Sequence, residues 1–260
     1  MSAATLALYA VWRREYIRFI RQPNRIIGAI GPPVLIWLFV GSGFGASFQL
    51  AGGSGVGYLE YLLPGIVALI VLFASIFSAM SVIEDRRDGF LDGTLVTPAP
   101  RGSVVGGKIA GGSSQAFAQG ALLVLAAPFA ISGLGAAPVV LALGVLALVA
   151  FGLTAFGCAM AWRMDSTQGY HSIMNLLLMP MWLLSGAVFP LDGAPVVMRL
   201  LMLANPMTYA VAALRAPFYM GSALAAPGPI GFPLALGVTA GFAAAMATVA
   251  AVMASRPARS

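Results

Sequence analysis

The sequence predicts an all-α polytopic membrane protein. Six transmembrane helices are expected, with an N-terminal amphipathic interfacial helix, a short cytoplasmic helix in a charged loop, and short re-entrant outer helices. Three observations carry this. Of 260 residues, 60% are hydrophobic and only 8% charged, against about 45–50% and 25% in an ordinary globular chain. Long apolar runs without charge recur along the chain, each near the roughly 20 residues needed to cross the hydrocarbon. The basic residues crowd into alternate connections. Twenty-two charged side chains cannot cover a soluble domain of this size, which excludes a cytosolic enzyme, a secreted domain and a disordered chain.

Residues 1–25 read as a helix lying on the cytoplasmic surface. At helical spacing Tyr9, Trp12, Tyr16, Phe19 and Ile20 share one face, and Arg14, Arg18, Arg21 and Arg25 the opposite one. An aromatic face opposed to a basic face fits a membrane interface. A passive basic flank that only sets topology is the plainer alternative. The basic residues leave no uninterrupted apolar stretch there, so no cleaved signal is expected.

The first two spans fall within 26–83, at Ile26–Phe48 and Tyr61–Ile83. A charged connection occupies 84–100. Spans three to five fall within 110–189, at Ala110–Ser132, Pro138–Ala161 and Ser172–Phe189, the first two of these joined by a tight turn around Gly133–Ala137. An outer segment fills 190–229. Its apolar pieces Val196–Ala204 and Met207–Tyr219 are too short to span and are punctuated by Pro190, Pro195, Pro206 and Pro217, which reads as re-entrant. The sixth span is Ile230–Met253, followed by a tail at 254–260. The whole, 1–260, reads as one transmembrane domain.

Twelve of the fourteen basic residues fall on one side of this arrangement, leaving only Arg199 and Arg215 on the other. Positive charge marks the cytoplasmic side, so both termini are expected there. Net charge +6 then points to cytoplasmic loops and anionic lipid rather than nucleic acid.

Several chemistries can be set aside. Cys158 and His171 are each the only residue of their kind, so neither a disulfide within the chain nor a cysteine- or histidine-based metal centre can form. The spans as drawn hold no Asp, Glu, Lys, Arg or His in their interiors, which disfavours a proton- or ion-coupled carrier. Gly102–Lys108 matches part of a phosphate-binding loop, but Ile109 stands where Ser or Thr must meet magnesium and no strand precedes it. Gly107 and Gly111 better fit close helix packing. Ser185 with His171 would make an intramembrane hydrolase only if about 20 Å of helix separation were closed. An intramembrane enzyme, or a membrane protein without transport activity, remains the alternative reading.

The connection Glu84–Pro100 is the most informative. Phe90, Leu91 and Leu95 can share a stripe, Asp88 and Asp92 another, and Pro98 and Pro100 stop the helix. This is either a solvated cap or a docking helix for a cytosolic partner.

Four stretches, in this order and spacing, resemble the permease subunit of ABC-2 type (type V) exporters, the group that includes daunorubicin-resistance and nodulation-type lipo-oligosaccharide permeases. They are Tyr61–Gly65, opening with Tyr61-Leu62-Leu63-Pro64; the loop Glu84…Gly89-Phe90-Leu91…Leu95…Thr97-Pro98; Ser185-Gly186-Ala187-Val188-Phe189-Pro190; and Asn205-Pro206-Met207-Thr208-Tyr209, ending in Leu214-Arg215. The resemblance implies a permease that dimerises with a second copy in the cytoplasmic (inner) membrane. It implies two copies of a separate cytosolic ABC ATPase, which carries the ATP and magnesium, and no cofactor in this chain. It implies amphiphilic substrates, contact with membrane lipids and no nucleic-acid partner. On this resemblance Glu84, Asp85, Arg87, Asp88, Gly89, Phe90, Leu91, Asp92 and Leu95 form the ATPase-coupling helix and its flanks. Phe90, Leu91 and Leu95 would fill a groove on the partner. Trp12, Arg14, Tyr16, Arg18, Phe19 and Arg21 form the interfacial connecting helix. Ser185, Gly186, Phe189, Pro190, Asn205, Pro206, Tyr209 and Arg215 form the outer re-entrant cap. No large outer domain is present, which favours the compact drug or lipo-oligosaccharide type.

Overall fold

The computed structural model describes residues 2–44, 57–95, 100–131, 133–220 and 228–255; for Arg25, Phe44, Asp92, Thr94, Leu95 and Ser255 only the backbone is described. Most of the connection between the first two expected spans, Pro98 and nearly all of the C-terminal tail therefore lie outside the described residues. Those described form helices and turns, without a strand. In chain order the helices are α1 (Ala3–Ile20), α2 (Pro23–Phe44), α3 (Tyr58–Arg87), α4 (Phe90–Leu95), α5 (Arg101–Ala130), α6 (Ala136–Ala161), α7 (Thr167–Leu183), α8 (Val196–Ala204), α9 (Pro206–Phe218) and α10 (Phe232–Ser255).

The core is built around α3. From Tyr61 to Leu72 every side chain of this helix is buried. A helix that is apolar all round needs neighbours on every side, and α2, α5, α6, α7 and α9 supply them. α5 approaches closely because it lines that contact with small residues. A methyl group at Gly112 would come within 2.0 Å of the Ser78 hydroxyl oxygen, and one at Gly120 within 2.8 Å of Val71. Gly133, at φ +83°, turns α5 into α6. α2 lies at the periphery with Ile27, Leu35, Leu38 and Phe39 exposed, as suits lipid contact.

Five of the described helices are long and apolar enough to cross a membrane: α2, α3, α5, α6 and α10. The α8–α9 pair would make a sixth span only with an 81° bend between its halves. The expected fifth span is shorter than the apolar run. α7 has 17 residues, about 25 Å at 1.5 Å per residue, and stops at Leu183 rather than Phe189. Gly186 then takes a left-handed conformation at φ +77°, and the following residue presses its backbone onto Gly65 of α3, where an added Cβ would meet Ala187 Cβ at 2.6 Å. Conversely, α3 runs four residues past Ile83 and α5 begins nine residues before Ala110. Pro100 marks that start as N-cap. Charges placed by the sequence in a connection thus sit on helices.

Candidate functional site: an ionic clasp beside the short helix

α1 lies along the start of α5. Val11 and Glu15, one turn apart, are its buried residues, and they rest on Gly107 and Gly111 respectively, where any Cβ would come within 2.7 Å. These two glycines do permit a close approach, but to α1 rather than to a membrane span. Trp12 Nε1 donates to the Ser114 hydroxyl at 3.1 Å, and Gln115 Nε2 donates to the Glu15 carbonyl at 3.1 Å.

That contact brings ionisable groups from α1, α3 and α5 together. Lys108 Nζ lies 2.7 Å from Glu15 Oε1, pairs with Asp85 Oδ2, and also donates to Ser81 Oγ at 3.1 Å. The side chains of Lys108, Glu15 and Asp85 are 1%, 3% and 0% exposed. Arg14 grips Asp85 with both terminal nitrogens, at 2.5 and 2.8 Å. Arg18 bridges Glu84 at 2.8 Å and Asp85 at 3.3 Å. Three acids and three bases therefore balance. Balance and close geometry are what make a buried ionic group tolerable. The hydrogen bond to Asp85 is the main cause holding the Arg14 guanidinium above its ordinary pKa, so it stays charged.

The short helix docks on this clasp. The Arg14 guanidinium lies 3.7 Å over the Phe90 ring, a cation–π contact. Leu91 is 2% exposed and packs with Val11 of α1 and Val104 of α5, beside Trp162. The same end is tied further by Arg86, which donates to the Trp162 carbonyl at 2.8 Å and pairs with Asp165 at 3.2 Å. Arg87 Nε donates to the Asp165 carbonyl at 3.0 Å. α4 is thus seated on α1, α3, α5 and the α6–α7 turn. The exposed positions here are Asp88 and Gly89, in the turn from α3, and Gly93 on α4. An added Cβ would meet nothing within 4 Å at either glycine, and Gly89 carries φ +72°.

Several expected roles change with this geometry. Leu91 is buried against the chain's own helices and so seats α4, while Phe90 is half-buried beneath Arg14. Asp85 and Glu84 are used by Arg14 and Arg18, which accordingly face acids rather than lipid head groups. Of the expected interfacial residues, Arg21 is exposed while Tyr16 and Phe19 are half-buried in an aromatic row with Trp12. The side chains of Asp92 and Leu95 lie outside the described residues.

Comparison with known proteins settles the family. The sequence model described as ABC-2 type transporter matches residues 7–219. The chain belongs to the ABC-2 type transporter family. Among curated proteins it is similar to nodulation protein J of Rhizobium leguminosarum bv. trifolii, 26% identical over 85% of this chain and 84% of that one. It is similar to nodulation protein J of Sinorhizobium fredii, 29% identical over 79% of each. The corresponding protein of Rhizobium meliloti is 28% identical over 82% of this chain and 81% of its own length.

At the far end of α3 the ABC-2 permease builds a second polar assembly. The Gly186 carbonyl accepts from Tyr61 Oη at 2.8 Å and from Arg215 Nη2 at 2.7 Å. The Arg215 guanidinium lies 4.3 Å over the Tyr61 ring. Trp182 Nε1 donates to the Gly65 carbonyl at 2.7 Å. Asn205 ends α8 and caps α9: its Oδ1 accepts from the Met207 amide at 3.0 Å, its Nδ2 donates to the Met181 carbonyl at 2.6 Å, and Pro206 takes the first helical position. Tyr209 Oη donates to the Leu203 carbonyl at 2.9 Å. Phe189 is exposed and Pro190 half-buried. Ser185 and His171 have other partners: the serine hydroxyl donates to the Trp182 carbonyl, and the imidazole lies against Asn175 and Phe77.

Glu15 and Lys108 are the residues the sequence reading passed over. The signal was available in Gly107 and Gly111, which bracket the chain's single lysine and mark a helix contact there.

Proposed function

We propose that this ABC-2 permease is the membrane subunit of an ATP-driven exporter in the cytoplasmic (inner) membrane, with both termini on the cytoplasmic side. It works as a homodimer with two copies of a separate cytosolic ABC ATPase, which holds the ATP and magnesium. Its cargo is an amphiphile: a drug, a lipid or a lipid-linked saccharide. The permease breaks no bond.

The supporting observation is the seating of α4. Its outward side, with Gly93 and the preceding turn at Asp88 and Gly89, offers open backbone to a partner. Its inward edge rests through Phe90 and Leu91 on the clasp that joins α1, α3 and α5. A push on the edge is therefore delivered to two long helices and the surface helix together. α3 is the central member, so displacement of its end moves the packing of every helix around it. Membership of the ABC-2 type transporter family, over residues 7–219, supports a transport role of this kind.

Co-purification tests the reading. Wild-type permease is expressed with its candidate ATPase and compared with Gly93→Trp, a change into open space that leaves the interior alone. The variant should insert normally and lose ATPase retention and ATP-dependent transport. Full retention with full transport would remove α4 as the docking element.

A further inference from the structure

α9, the segment after α7 and the residues leading into α10 line an open-sided cavity of about 450 Å³, within the range typical of small-ligand sites. It lies at the end of the molecule away from the ionic clasp. Its walls include Ser185, Thr208, Arg215, Ala216 and Tyr219. Arg215 is 4% exposed. Its Nη2 is bonded to the Gly186 carbonyl and its guanidinium lies over Tyr61, and the residue also lines this wall.

The donor inventory of the wall is specific. A guanidinium offers only donors. The Ser185 hydroxyl donates to the Trp182 carbonyl, and the Thr208 hydroxyl to the carbonyls of Met202 and Leu184. With their protons so committed, both oxygens present acceptors. A matching ligand carries an anionic oxygen for Arg215 and hydroxyl protons for Ser185 and Thr208. A glycerol phosphodiester has both, whereas a choline head group lacks the hydroxyl. Met220, 43% exposed, stands at the rim, where an acyl chain would leave along an apolar surface.

We propose that this cavity binds the head group of an anionic glycerophospholipid of the phosphatidylglycerol type, phosphate on Arg215 and glycerol hydroxyls on Ser185 and Thr208. The site belongs to the permease chain itself and does not depend on the export reading.

The test uses the full-length chain in nanodiscs of phosphatidylcholine and phosphatidylglycerol in equal parts, followed by native mass spectrometry of retained lipid. Wild type should retain phosphatidylglycerol over phosphatidylcholine. Arg215→Gln should lower that ratio about tenfold, the loss expected for a charge-assisted hydrogen bond. Ala216→Leu fills the cavity while keeping Arg215 and its contacts, and should lower the ratio similarly; it carries the test where Arg215→Gln does not fold. Phosphatidylglycerol gathered by basic residues elsewhere is common to all variants, so the difference between them is the reading. An unchanged ratio in Ala216→Leu overturns the proposal. Thermal protection by inorganic phosphate but not by phosphatidylglycerol vesicles would make the occupant a free anion and overturn the lipid assignment.

Discussion

Lys108 is the only lysine of the chain and sits where its ammonium has almost no access to water. Removing one member of a buried ionic group leaves its partners uncompensated, which typically costs about 3–5 kcal/mol. Lys108→Met should therefore lower the thermal unfolding midpoint markedly, measured by fluorescence in detergent. Adding Glu15→Leu should recover part of the loss, because Asp85 keeps Arg14 and Arg18. A double variant no better than the single would show that Glu15 is not the partner that matters. The sequence displayed half of this arrangement. The spacing of Arg14 and Arg18 places them on one face, but periodicity within a helix says nothing about acids some seventy positions away. Pairing across that distance is decided by which helices pack, and Gly107 and Gly111 decide that.

Two short helices carry the sharper expectations at the next level. α4 is held by Leu91, so Leu91→Asp places an unpaired carboxylate among Val11 and Val104, at a cost above about 2 kcal/mol. Limited proteolysis should cut this variant within 88–100 while leaving Gly93→Trp intact. Equal resistance would mean that α4 is seated by something other than Leu91. α9 begins on Asn205, whose Oδ1 caps the Met207 amide. Loss of such a cap costs about 1 kcal/mol, and here the bond to the Met181 carbonyl is lost as well. Asn205→Ala should lower the unfolding midpoint, with Asn205→Asp keeping the cap and falling between. The break at Asn205-Pro206 was legible, since proline fits the first helical position and asparagine the cap. The end of α7 was placed too late: Ser185 and Gly186 interrupt the apolar run, and the left-handed Gly186 with the close approach of Ala187 to Gly65 ends the helix there.

The all-helical membrane class followed from composition together with the recurring apolar runs, and the individual spans were displaced mainly where charged residues extend a helix beyond its apolar run. α3 is about 45 Å long at 1.5 Å per residue, beyond the roughly 30 Å of hydrocarbon, which leaves its last turn free to carry Glu84 to Arg87. The two polar assemblies, one around Asp85 and one around Tyr61, lie 24 residues apart on α3, about 36 Å, and should face opposite sides of the membrane. In a Cys158→Ala background, Gly102→Cys should react with an impermeant thiol reagent only after permeabilisation, and Asp192→Cys in intact cells. Both positions are exposed. Labelling of Gly102→Cys in intact cells would reverse the orientation.

The chain's four tryptophans stand at four different joints. Trp12 touches Ser114 across α1 and α5, and Trp37 donates to the Leu59 carbonyl across α2 and α3. Trp162 flanks Leu91, and Trp182 bonds the Gly65 carbonyl. The protein thus contains its own set of optical reporters, one for each joint, needing no attached dye. Retaining one indole at a time, with phenylalanine at the other three, would give four emission spectra from one chain. During a nucleotide cycle of a bound ATPase, the Trp162 band should shift first and the Trp182 band later. That delay would time the passage of motion from one end of α3 to the other.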